Sequence, residues 1–90
     1  MRHKQQIEKY DGSLKDLAKD IGDLRYDALE SFLLLLYGKI KFDEYNDLQN
    51  GRGQLSMCLR NMAGGIEQAK RHAKHAWKVS KPHMKEDLDD

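Results

Sequence analysis

The sequence predicts an all-α fold, a long antiparallel helical hairpin that pairs into a dimeric four-helix bundle. Three observations predict it. The 90 residues contain no Thr, one Val, one Pro and twelve Leu, a composition poor in the β-branched residues and turn formers of sheet proteins. Two long segments, beginning at Leu14 and Leu55, repeat apolar residues at alternating spacings of three and four, the periodicity of helices packed along their lengths. The stretch from Leu29 to Leu36 then loses its polar face. A helix apolar all round is buried all round, and a lone two-helix hairpin gives each helix only one neighbour. The length fits one small domain. With 34% charged residues, its core is assembled economically or shared with a second copy.

Residues 1–12 form a polar N-terminal segment whose apolar pair of note is Ile7 and Tyr10. No apolar stretch follows the first residues, so no signal peptide is expected. Asp11-Gly12 signals a turn, and Ser13 with Asp16 three residues on makes a capping-box variant that starts a helix. Leu14, Leu17, Ile21, Leu24, Ala28, Ser31 and Leu35 are its expected packing stripe. Gly22 weakens this helix by about 1 kcal/mol without ending it. Gly38, after Tyr37, is the expected C-terminal cap.

Residues 39–53 read as a connector. Phe42, Tyr45 and Leu48 form a short helical turn over the bundle end, and Asn50-Gly51-Arg52-Gly53 is a loop. A second helix runs from Gln54 to Ser80 and is stopped by Pro82. Its stripe is Leu55, Leu59, Met62, Ile66, Ala69, Ala73, Ala76 or Trp77, and Ser80. Gly64-Gly65 sit in the middle of it, and its Ala residues pack against the Leu-rich partner. The helical hairpin domain thus spans 13–81, and 82–90 is an acidic tail ending in Glu86, Asp87, Asp89 and Asp90.

Two surfaces carry functional expectations. Leu29, Phe32, Leu33, Leu34 and Leu36 form the expected self-association surface, because nothing else in a hairpin would cover them. Arg60, Lys70, Arg71, Lys74, Lys78 and Lys81 lie on one flank of the second helix and would receive an anionic partner. The acidic stripe Asp16, Asp20, Asp23, Asp27 and Glu30 lies on the opposite side of the hairpin. Each stripe has a simpler account as a solvated face. Trp77 amid the basic run could stack on a base, but it falls on the packing stripe, and the net charge is only +1.

Chemistry finds little to work with. His72 and His75 share a helix edge at three-residue spacing, but Arg71 and Lys74 beside them repel a cation. Cys58 lies beside the stripe, where burial would make it an inert small apolar residue. Gly51-Arg52-Gly53 lacks the spacing and the Lys-Ser/Thr of a phosphate loop. The expectation is a non-catalytic, self-associating interaction or assembly module, with no catalytic residues, metal or cofactor. It is expected to be a cytoplasmic homodimer with no membrane contact and a possible protein partner. The alternative is a small nucleic-acid-associated regulator using the basic flank at 70–81.

Overall fold

The computed structural model describes residues 3–83. The acidic tail expected over 82–90 therefore lies, from residue 84 onward, outside the described residues. The described residues form three helices, α1 (Leu14–Gly22), α2 (Tyr26–Gln49) and α3 (Gly53–Ser80), and a closing 3-10 turn at Lys81–His83. None of these helices is long and apolar enough to cross a membrane.

The start of α1 is as the sequence reads. The Ser13 hydroxyl accepts from the Asp16 amide at 3.1 Å, and the Asp16 carboxylate accepts from the Ser13 amide at 3.2 Å. Its end is a correction, because the expected continuous helix from Ser13 to Tyr37 breaks after Gly22. The Asp23 and Leu24 amides close onto the carbonyls of Lys19 and Ile21. A new helix then starts at Arg25, where the Asp27 carboxylate accepts from the Ala28 amide at 2.8 Å and from the Arg25 guanidinium at 2.7 Å. Glycine lowers helix stability at 22, and an acid in the first turn favours a fresh N-terminus. The stripe running from Leu14 through Leu35 therefore crosses two separate helices.

Gly38 is a second correction. It does not cap a helix, since α2 continues through it to Gln49 and takes up most of the expected connector. Phe42, Tyr45 and Leu48 are part of α2 and do not fold over the bundle end. Lys39 reaches Asp43 one turn on, at 2.6 Å, which supports the helix beyond the glycine. The true cap is Gly51, the one described glycine with positive φ, at 77°. The Gly51 amide donates to the Leu48 carbonyl at 3.2 Å and the Arg52 amide to that of Asp47 at 2.8 Å. That pair of bonds is a Schellman closure, which needs a left-handed residue at this position. The connection between α2 and α3 is thus only Asn50, Gly51 and Arg52.

So short a connection makes α2 and α3 antiparallel neighbours. Near the turn, Ser56 of α3 donates to the Glu44 carbonyl at 3.1 Å. At the far end, the Arg25 guanidinium lies 5.3 Å from the centre of the Trp77 ring. On α3 the packed face is Ser56, Leu59, Ala63, Ile66, Lys70, Ala73, Trp77 and Ser80. Leu59, Ile66, Ala73, Trp77 and Ser80 of the expected stripe lie on this face, while Leu55, Met62 and Ala69 are exposed and Ser56, Ala63 and Lys70 take their side. Small side chains at Ser56, Ala63 and Ala73 let the two helix axes approach. Gly64 and Gly65 meet nothing on their open side. α3 ends at Ser80, two residues ahead of Pro82.

The N-terminal segment returns along the hairpin, since His3 lines the same groove as Lys39 and Leu55. α1 makes no contact with α2 or α3 comparable to theirs with each other. The radius of gyration is 16.0 Å, against about 12 Å for a compact chain of this size. Burial is correspondingly thin. Among the described residues only Ala63 and Ala73 are buried apolar residues, and no large side chain is fully enclosed.

Candidate interaction surface

α2 carries two apolar seams. Leu29, Leu33, Leu36 and Ile40 share the side of the helix that ends at Glu44, where α3 lies against it, and all four are half-buried. On the opposite side, Ala28, Ser31, Leu35, Gly38, Phe42, Tyr45 and Gln49 recur at alternating spacings of three and four. Among the described residues nothing covers this second seam. Leu35 is 74% exposed, and Phe42 and Tyr45 are each 61% exposed. Leu34 and Leu48 flank it, both more than half exposed. A Cβ placed on Gly38 would find nothing within 4 Å.

Three residues of the expected stripe, Ala28, Ser31 and Leu35, thus lie on the uncovered seam. The expected self-association residues divide between the sides of the helix. Leu29, Phe32, Leu33 and Leu36 are half-buried within the single chain, while Leu34 is exposed beside the outer seam.

The inner seam holds a charge that the sequence reading missed. Glu44 is 7% exposed, and its carboxylate accepts from Lys41 at 2.7 Å and from Arg60 at 3.2 Å. The Lys41 hydrogen bond holds this carboxyl below its ordinary value, partial desolvation opposes the shift, and Arg60 adds to it. The signal was present in the spacing, since Glu44 continues the run Leu33, Leu36, Ile40. It became legible only once α2 was known to extend past Gly38.

Half of the basic flank of α3 is ion-paired. Arg60 pairs with Glu44 at 3.2 Å, Lys70 and Arg71 reach Glu67 at 3.5 and 3.2 Å, and Lys81 lies 5.9 Å from the Trp77 ring centre. Lys74 and Lys78 are exposed and make no ion pair among the described residues. Trp77, on the packed face, is half-buried between two cations.

At the turn end a groove of about 580 Å³ runs between the helices, floored by Ile40, Leu55, Leu59 and Met62. Its charged rim is paired internally, Lys39 with Asp43 and Arg52 with Asp47. His72 and His75 are exposed, and among the described residues no group of three or more His, Cys, Asp or Glu is placed to hold a metal ion. Cys58 corrects the expectation of a buried thiol, for it is exposed. The packed face of α3 runs through Ser56 and Leu59, and Cys58 lies between them on the outward side. At the other end of the molecule, Tyr10 donates to Asp20, and this hydrogen bond pushes the Tyr10 pKa up to about 12.

Comparison with protein-family models, with curated proteins and with solved structures finds no match to this chain.

Proposed function

We propose that the chain is a non-catalytic, self-associating helical module whose working form is a dimer of hairpins, a four-helix assembly. One observation carries this reading: a chain whose described residues include only two buried apolar residues, both alanines, displays Leu35, Phe42 and Tyr45 to solvent on a single helix face. Burial of apolar surface is the main favourable term in folding, and a contiguous uncovered apolar face marks an interaction surface. Association supplies the neighbours that one hairpin lacks.

Light scattering on the full chain across the micromolar range tests the reading. A mass of two chains that falls on dilution is expected, and a monomer at all concentrations would overturn it. The competing reading, a nucleic-acid-associated regulator, rests on Lys74 and Lys78, the two flank lysines with no partner among the described residues. Such binding would weaken steeply with added salt. Nucleic-acid retention that survives Lys74→Glu with Lys78→Glu would exclude that flank.

A further inference from the structure

We propose that two copies pair antiparallel about a two-fold axis through the outer seam of α2, with Ala28 opposite Tyr45 of the other copy, Ser31 opposite its Phe42, and Leu35 opposite its Gly38. This pairing rests on the self-association proposed above and adds the surface, the orientation and the register.

The seam is uneven along its length. Its first half is small, with Ala28 and Ser31, and its second half is large, with Phe42 and Tyr45. At the centre Leu35 stands one turn from Gly38. A two-fold axis between Leu35 and Gly38 brings the small half of one helix onto the large half of the other. Every layer then combines one small and one large residue, the arrangement that fills space without voids or crowding. A two-fold interface must be self-complementary in this way.

Neighbouring solutions lack that property. A shift by one heptad in one direction sets Leu35 against Tyr45, and in the other it sets Ala28 against Gly38 and leaves Phe42 and Tyr45 without partners. A parallel pair in register sets Gly38 on Gly38 and Phe42 on Phe42. The flanks agree with the chosen register. Lys41 of one copy lies beside Leu34 of the other, where its aliphatic stem can cover the leucine, and Asp27 lies beside Leu48. No like charges meet.

The area is sufficient. Leu34, Leu35, Phe42, Tyr45 and Leu48, at their observed exposures, offer roughly 500–600 Å² per copy if an exposed aromatic presents ~200 Å². Two copies then bury about 1,000 Å² or more, the size a specific interface needs. The pairing also gives Gly38 a reason to sit inside a helix. The open space in front of it is the socket for Leu35 of the second copy.

The test uses the full chain with Cys58→Ala, which removes the exposed native thiol. Ala28→Cys and Tyr45→Cys are made in separate preparations, mixed, and oxidised mildly at a concentration where light scattering shows dimers. A disulfide requires Cα atoms within about 7 Å, and positions 28 and 45 of one helix lie about 25 Å apart. The mixed disulfide between the two variants is expected to dominate. Gly38→Leu is the second arm. Its side chain enters open space in the single chain, so helix content should hold, while dimer affinity falls about ten- to hundred-fold as the socket is filled. A dimeric mass with Ala28→Cys linking to itself, or with no mixed disulfide and Gly38→Leu still dimeric, overturns this pairing and leaves self-association standing. A monomeric parent chain overturns both.

Discussion

The two sides of α2 have the same heptad spacing and opposite fates. The inner side lies against small residues of α3 and carries a paired carboxylate, Glu44. The outer side carries Leu35 and two aromatics, Phe42 and Tyr45, and lies open. Both sides are apolar, so hydrophobicity alone does not decide which one the hairpin covers. The connection decides it. A three-residue link closed at Gly51 fixes the azimuth at which α3 returns, and α3 meets whichever side of α2 faces that way. Ser56 and Ala63 on the returning helix allow close approach, so the contact is tight and buries little. What the single chain leaves over is a second apolar seam with its two aromatics exposed.

Parallel substitutions on the two sides should break this comparison most sharply. Leu33→Asp puts a carboxylate on the covered side and should cost the single chain about 3 kcal/mol. Leu35→Asp, on the open side, should change single-chain stability by less than about 0.5 kcal/mol, while abolishing the dimer. Urea unfolding at submicromolar concentration, paired with light scattering at high concentration, reads both. Equal losses from the two variants in the dilute chain would erase the distinction. Ala63→Leu comes next. Ala63 is 1% exposed, so the added volume should force α2 and α3 apart at a cost of about 2 kcal/mol. The urea midpoint would show it.

A smaller effect should come from Glu44. Its carboxyl sits below the unfolded value of 4.5 in the folded chain, so the folded state binds the proton less readily. The stability this gives is present above about pH 4.5 and is lost as the pH falls through the lower folded value. Glu44→Gln should lower stability at neutral pH and flatten the acid limb of a melting-temperature profile. An unchanged profile would place Glu44 outside the packing it is assigned to. The smallest effect belongs to the exposed flank. Lys74→Glu with Lys78→Glu should leave the urea midpoint within about 0.5 kcal/mol of the parent.

The all-α class, the Ser13 cap and the stop ahead of Pro82 were legible because each depends on neighbours in the chain. Composition disfavours sheets, a Ser-x-x-Asp spacing satisfies two amides, and a proline lacks the amide that would carry a helix onward. The two glycines were not legible in the same way. Gly22 and Gly38 carry the same intrinsic penalty, yet helix ends at one and continues through the other. Gly22 is followed by Asp23 and then by an Arg25–Asp27 pair that starts a helix. Gly38 is followed by Lys39 and Asp43, whose pairing continues one. Once Gly38 is taken as a cap, Phe42 and Tyr45 drop out of the helix and the outer seam loses its large half. The packing stripe of α3 held at Leu59, Ile66, Ala73, Trp77 and Ser80 and missed at Leu55, Met62 and Ala69 for a related reason. Leu55 and Met62 look like better interior residues than Ser56 and Ala63, and only the close approach of the axes selects the small ones. Cys58 was misplaced together with that stripe.

The contact between Arg25 and Trp77 fixes where the hairpin is weakest. Sequence separation across α2 and α3 grows from 12 residues at Ser56 and Glu44 to nearly the whole hairpin at Arg25 and Trp77. Closing the Gly51 end first costs the least chain entropy, and each later turn extends a structure already begun. The hairpin thus closes like a zipper, with Trp77 near its last tooth. Trp77 is also the single tryptophan of the chain. Its fluorescence therefore reports the opening of that end, and on heating or in denaturant the emission should shift before helical ellipticity declines.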